Sequence, residues 1–383
     1  MADAPAPVDE GELVVYGQRR AASRVNRSPV VQLKVNGQIY SGWTSVDIQR
    51  SIETIAGGFS VTMTDYDPAL QVIQNVAPGD ACELLVDGET IITGYVDETG
   101  PEFDADTHEV KVVGRDKTGD MVDCAAYVPL KTPGWFAAGT SPLQIATQIA
   151  QPFGISVRQD VDSGTVGQFA LQTEETAFAA IDRMAKDVGV LPVSDGLGGV
   201  LLTRGGTGGS FSPLEEGVNM LAAKGSVNWR DRFSHYFALS DGSGFVANAP
   251  VGTEATATDP AVKRWRPKVV VASSAMEAGE QQADHLSTRA KWEATVHAAR
   301  AYRHKIVVQG WRDDQNALFQ PNSVGRVTSV KLGCDETLLL VSVRWTLDDK
   351  GSRTELEVTK PDAFKLIALP DGTDYVTPAG ATP

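Results

Sequence analysis

Cysteine is nearly missing from this chain: Cys82, Cys124 and Cys334 are the three in 383 residues, far apart and without a CxxC pair. That excludes a disulfide framework and a cysteine-based zinc site, and it leaves buried thiols in a reducing compartment as the expectation. The five histidines, His108, His235, His285, His297 and His304, form no HExxH or HxH arrangement, so neither zinc nor a base–nucleophile pair can be assigned to them. The last three fall on or beside a long helical stretch, where surface or interface positions are expected. No run approaches the roughly 20 apolar residues of a membrane span, and Met1 to Arg27 lacks the apolar region of a signal peptide. There is no GxSxG elbow, and Gly205-Gly206-Thr207-Gly208-Gly209 lacks the GK[ST] ending of a phosphate loop, so it reads as a flexible linker. Asp104, Asp106 and Glu109 lack the register of a calcium loop. Catalytic, cofactor-binding and metal residues are therefore all assigned as none.

Positive charge is also short. Lys and Arg number 34 against 49 Asp and Glu, a net charge of −15, which opposes binding to phosphate backbones or anionic lipid. The imbalance is local. Asp87 to Asp123 holds 11 acidic and 3 basic residues, net −8, whereas Lys263 to Asp313 holds 10 basic and 5 acidic, net +5. Such a dipole suits head-to-tail contacts between subunits, although solvated surfaces explain it equally well. Trp265 between Arg264 and Arg266 is one isolated cluster, unlike the aromatic stripe of a single-strand binder.

What the chain has in quantity is β-pattern. Val31, Leu33 and Val35 alternate with polar residues and run into Asn36-Gly37, a hairpin signal. Further strands are expected at Thr44 to Ser51, Gly58 to Thr64, Ala81 to Val86, Thr90 to Glu98 and Thr107 to Gly114, a spacing that suits a small barrel or sandwich. The middle is different. Ser141-Pro142 caps a helix carrying Leu143, Ile145, Ile149 and Phe153. A second helix, from about Glu174 to Val188, has an acidic first turn and an apolar stripe of Phe178, Ile181, Met184, Ala185 and Val188. Strands are expected at Leu191 to Val193 and Val200 to Thr203, a polar loop over Phe245 to Asp259, and a long helix from Met276 to Arg303.

Two stretches look alike. DGETIITGYVDETG from Asp87 and THEVKVVGRDK from Thr107 resemble CDETLLLVSVRWTLDD from Cys334 and RTELEVTKPD from Arg353. Upstream, Ser45-Val46-Asp47-Ile48 matches Ser226-Val227-Asn228-Trp229, and Phe59 to Asp65 matches Tyr236 to Asp241. Chance likeness between amphipathic strands is the competing explanation; agreement in order argues against it.

The run from Val31, VQLKVNGQIYSGWTSVDIQRSIETIAGGFSVTMTD, followed by PGDACELLVDGETIITGYVDE from Pro78, resembles the opening domain of the Mu-like phage baseplate hub family. VVQGWRDDQNALFQPNSVGRV from Val307 is similar to that family's later signature, with Gly310, Trp311, Pro321 and Asn322 as structural positions. The resemblance spans about Val30 to Phe364. It implies a β-dominated α+β multidomain fold: two similar barrel-like β modules forming a pseudo-sixfold ring in a homotrimer, with a helix-containing middle domain and a helical insertion. The corresponding division is a flexible arm over 1–27, a first tube domain over 28–125, and an α/β middle domain over 126–205. A second, split tube domain over 206–245 and 305–365 encloses an insertion over 246–304, and 366–383 is a tail.

The implied function is that of a non-enzymatic virion protein, assembled in the host cytoplasm and placed in a contractile tail. It would adapt a sixfold tail tube to a threefold central spike. The partners implied are the spike, the tail tube or distal tube protein, baseplate wedge proteins and tape-measure protein, with DNA only in transit, no stable membrane association and no cofactor. No β-helical spike follows before Pro383, so separate hub and spike chains are expected. The alternatives are the hub of a type VI secretion or bacteriocin-like particle, a tail-associated cell-wall hydrolase, and a carbohydrate-binding β module.

Overall fold

Asn36 and Gly37 both take left-handed backbone angles, φ 50° and 79°, as a two-residue turn matched to strand twist requires. They join β1 (Val31–Val35) to β2 (Gln38–Tyr40). Asp87 and Gly88 repeat the device, φ 52° and 85°, between the strands Ala81–Val86 and Glu89–Phe103. A computed structural model describes residues 28–64, 76–103, 108–127, 134–166, 169–240, 254–272 and 280–364. The expected N-terminal arm, the C-terminal tail, Asp104 and Asp106 lie outside those residues.

The first half of the main sheet adds β3 (Ser45–Ser51), β4 (Gly58–Thr64), β5 (Ala81–Val86), β6 (Glu89–Phe103) and β7 (His108–Asp116). Its order is β3-β4-β7-β6-β5-β1-β2, antiparallel throughout. β6 runs past the expected end at Glu98 because β7 pairs with it as far as Phe103. Alternation places Leu33, Ile48, Val61, Leu84, Ile92 and Val112 in one buried cluster.

A middle unit follows: α1 (Gly119–Asp123), β8 (Trp135–Phe136), α2 (Pro142–Ala150), β9 (Val157–Gln159), β10 (Phe169–Ala170), α3 (Ala177–Asp187), β11 (Leu191–Ser194) and β12 (Val200–Thr203). α2 starts as expected. Ser141 Oγ accepts the Gln144 amide at 3.2 Å and Gln144 Oε1 accepts the Ser141 amide at 3.4 Å, a reciprocal cap. α3 begins later than expected and without an acidic first turn, since Thr176 is the cap. Glu174 has φ 65°, and Glu175 turns onto Arg183 at 2.8 Å. Ile145, Ile149, Ile181 and Met184 form the core of this unit.

The remainder contains β13 (Leu214–Glu215), β14 (Met220–Val227), β15 (His235–Ser240), β16 (Glu254–Thr258), β17 (Pro267–Ala272), α4 (Glu280–Arg300), β18 (Tyr302–Gln309), β19 (Val324–Ser329), β20 (Cys334–Asp348) and β21 (Gly351–Thr359). The second half of the main sheet runs β14-β18-β21-β20, with β19 on β20 and β13 on β19. Its order repeats that of the first half. β14 stands for β3, β18 for β4, β21 for β7, β20 for β6 and β19 for β5.

Two expectations are corrected here. Tyr236 does not match the strand at Phe59: that place belongs to β18, and β15 lies in a separate three-stranded sheet with β16 and β17. Residues 254–258 are a strand and not loop, because β15 offers them an antiparallel partner. The insertion is therefore mixed α/β. α4 packs on that sheet through Leu286 and Ala290, against Ala238 and Ala257.

Candidate assembly surface

The two halves meet edge to edge. β20 pairs with β3 from Ser342↔Ser51 to Leu347↔Val46, making one continuous 13-stranded sheet. Trp345 lies opposite Ile48, and both are buried. On the other face Arg344 grips Asp47, with Nε 2.8 Å from Oδ1, and that carboxylate holds the guanidinium above its ordinary value. Past the strand ends Ile52 donates its amide to Val341 O at 2.9 Å, and Ile52, Leu339, Val341 and Phe364 close a separate apolar cluster.

Val341 is an extra residue in β20, since the β20–β21 register shifts between Leu340 and Ser342. β6 carries the same bulge against β7, between Val96 and Glu98, with Asp97 as the extra residue. A bulge is a fixed mark in an otherwise repeating ladder. Counting from it, 342–347 of β20 correspond to 98–103 of β6, and Val46, Ile48 and Ile52 of the β3 region correspond to Ala223, Gly225 and Trp229 of the β14 region.

Charged side chains fasten the junction to its surroundings. Arg303 at the start of β18 pairs with Glu357 Oε1 at 2.7 Å and with both oxygens of Glu53, which holds it above its ordinary value. Arg50 of β3 donates to Gln320 Oε1 at 3.0 Å and Ser194 O at 3.3 Å, tying together both sheet halves and the middle unit. Burial pulls its pKa down against the nearby charges of Asp116 and Asp195. Asp116 is pushed up by burial despite bonds from Ser194 and Thr118. A cavity of about 30 Å³ lies beside Arg50, bounded by Ile52, Val193 and Asn322. It has no space for an organic ligand.

The signature residues all serve the fold. Gly310 has φ 77°, and its carbonyl accepts Thr354 Oγ1 at 2.6 Å. Trp311 is buried with Nε1 donating to Thr346 O at 2.9 Å. Pro321 lines the small cavity. Asn322 accepts the Gly206 amide at 2.7 Å and donates to Arg204 O at 2.9 Å and Thr207 Oγ1 at 3.1 Å. The expected linker at 205–209 is thus a fastened turn: a Cβ on Gly208 would come 2.9 Å from the Asn322 carbonyl, and one on Gly205 2.8 Å from Phe364 Cβ.

Other expectations also change. Cys82 and Cys334 are buried, and burial pushes the Cys82 thiol up to about 12, whereas Cys124 is exposed because it follows the short α1 at the surface. His304 is buried inside the second half, its pKa lowered by that burial, since β18 points alternate residues inward. His297 is held between Lys268, at 2.7 Å, and Glu293, at 3.3 Å. The acidic segment is partly neutralised: Asp97 and Asp123 pair with Arg115 at 2.6 Å. Arg312 of the basic segment bridges Asp87 at 3.3 Å and Glu89 at 3.6 Å. Arg50, Arg303 and the bulges carried no recognisable mark in the sequence.

Comparison with known proteins places these features. Three family models match: the N-terminal domain of the Mu phage baseplate assembly protein GpP-like family over 30–116, the second domain of baseplate hub protein gp44-like over 118–204, and the fourth domain of GpP over 283–367. Baseplate hub protein gp44 of Escherichia phage Mu is 31% identical over 350 residues, covering 88% of this chain and 89% of that protein. The 43 kDa tail protein of prophage MuSo2 from Shewanella oneidensis is 32% identical with a TM-score of 0.76, covering 88% of this chain and 100% of that one. The type VI secretion component c3393 of E. coli shares the fold alone, at 11% identity and a TM-score of 0.51 over 88% of this chain and 80% of its own.

Proposed function

The chain belongs to the Mu-type baseplate hub family and is a component of a phage tail baseplate, and from that premise we propose that three copies close into a ring of six similar β modules around an axial channel. The observation that carries this is the continuous sheet in which two halves of the same strand order stand side by side. A chain that presents one unit twice gives three chains the means to meet both a threefold and a sixfold neighbour. The threefold central spike binds one face and the sixfold tail tube or distal tube the other. Wedge proteins contact the outside, and tape-measure protein and DNA pass through.

The role is mechanical, and we assign no catalysis to the chain. A net charge of −15 suits a conduit that must not hold DNA. Asp97, Asp116 and Asp123 are taken up by Arg115 or by burial, so repulsion falls to other acids of that segment. We divide the chain into a first tube module over 28–117, a middle unit over 118–205 whose core includes Met121, a second module over 206–227 and 302–365, and an insertion over 228–301. The mass of the purified protein, measured alone and with its spike, tests this reading. Three chains, shifted to a larger complex by the spike, are expected; a stable monomer indifferent to the spike overturns it. Clearing of a peptidoglycan zymogram by the purified chain would overturn the assignment as a passive part.

A further inference from the structure

The insertion sheet has one face that nothing covers among the described residues. Its three strands turn Ala238, Ala257 and Val270 toward α4, and alternation sends the residues on either side of these to the opposite face. Phe237 lies there between Thr256 and Val269, and Leu239 lies between Glu254 and Val271. Val269 and Val271 are 54% and 55% exposed. Trp265, in the segment before β17, closes the row at its other end, with its ring centroid 4.4 Å from that of His235 and 6.4 Å from that of Phe237. In the sequence this tryptophan stands alone between two arginines. Folding makes it the end of a continuous aromatic and aliphatic face, where it is 66% exposed.

Charge at that end is mostly of one sign. The two stretches that meet there, 228–236 and 258–266, hold five Lys and Arg against two Asp. Asp259 is held by Arg232 in a buried pair, while Arg230, Lys263 and Arg264 are exposed. A contiguous exposed apolar surface with a polar rim marks a contact site, and Trp and Arg are the residues that most often carry such contacts. We infer that this face receives an acidic segment of another baseplate protein, its apolar side laid on Phe237, Val269 and Val271 and its carboxylates beside Arg230, Lys263 and Arg264. This rests on the reading above that other baseplate proteins contact this chain, and it names the surface and the chemistry of one such contact.

The make-up of the face selects that occupant. Single-stranded nucleic acid stacks on successive aromatic rings along a basic groove, whereas this face turns aliphatic at Leu239, Val269 and Val271 and ends at the acid Glu254. The acidic segment of a second copy is a poor complement, because Asp97 and Asp123 are paired with Arg115 and Asp87 with Arg312. A separate acidic chain meets both halves of the surface. Opposite charge at the rim sets orientation and speeds encounter, and the desolvated aromatic and aliphatic centre holds the partner in place.

Photo-cross-linking in purified, assembled tails tests this, with p-benzoylphenylalanine placed at Thr256, an exposed position beside Phe237. Mass spectrometry of the product should identify a segment of a different tail protein in which acidic residues outnumber basic ones. That protein, purified alone, should bind the full chain about tenfold more weakly after Trp265→Ala or Arg264→Glu, and more weakly as salt rises. Val330→Ser, at a 93% exposed position between β19 and β20, should bind like the parent. Cross-links to DNA, to a second copy of this chain, to a segment without acidic excess or to no other protein overturn the proposal, as does parental affinity in both variants. Formaldehyde treatment of the same tails keeps the two readings apart. If it joins this chain to other tail proteins while Thr256 captures none, the surface alone is overturned; if it joins the chain to none, those contacts are overturned as well.

Discussion

β3 and β14 hold the same place in two halves of one sheet, and they differ in nearly every property a strand can have. β3 turns Val46 and Ile48 into a core and is paired on both sides, while β14 offers Ala223 and Gly225 at those positions, exposed, with one neighbour. The strand order does not explain this, because it is shared. What differs is the partner: β3 has β20 of its own chain, and β14 has, among the described residues, β18 alone. Strand composition follows the surface a strand is given.

That comparison can be broken most severely at the closed junction. Trp345→Ala should cost about 3–5 kcal/mol of stability, the usual penalty for emptying a buried aromatic site, read as a lower urea midpoint. Asn322→Ala removes the clamp on the 205–209 turn and forces alanine to φ 70°. About 2–3 kcal/mol is expected from the lost bonds and the left-handed backbone.

The third test uses His304, which the same count matches to Phe59 of the first half. Its neutral form stabilises the fold fully above an unfolded pKa of about 6.5, and that contribution is lost as pH falls through its lowered folded value. His304→Phe should therefore narrow the gap between urea midpoints at pH 7.5 and 5.5. The smallest effect belongs to the open edge: Val227→Ala should leave the dissociated chain within about 0.5 kcal/mol of the parent, and a loss as large as that of Trp345→Ala would mean β14 is not a free edge.

Much of the β framework was legible in the sequence. β4 and β5 have the expected ends, β3 differs by one residue, and the Asn36-Gly37 and Ser141-Pro142 signals formed the turn and the cap they indicate. The repeat was legible at the level of its closing hairpins, but its register was not. Laying THEVKVVGRDK on RTELEVTKPD glutamate to glutamate sets Val110 and Val112 beside Leu356 and Val358 and is off by two, and matching Ser45 to Ser226 is off by four. Both slips are even, and an even slip keeps every side chain on its own face, so alternation cannot detect it. The matching bulges can, and they appear only when strands are paired.

The charged residues that matter show the same limit. Arg303 meets Glu53 from 250 positions away and Arg50 meets Gln320 from 270; as letters they are single arginines in polar slots. By itself, then, the sequence determined what local chemistry decides: strand alternation, turns that need glycine or asparagine, helix caps, an acidic surface and family membership through the motifs. Tertiary structure decided which strand lies beside which, that an apparent linker is a clamped turn, and that one edge is closed and its twin open. Hydrogen-bonded pairing joins residues far apart in the chain, and alternating side chains specify a face without specifying a neighbour.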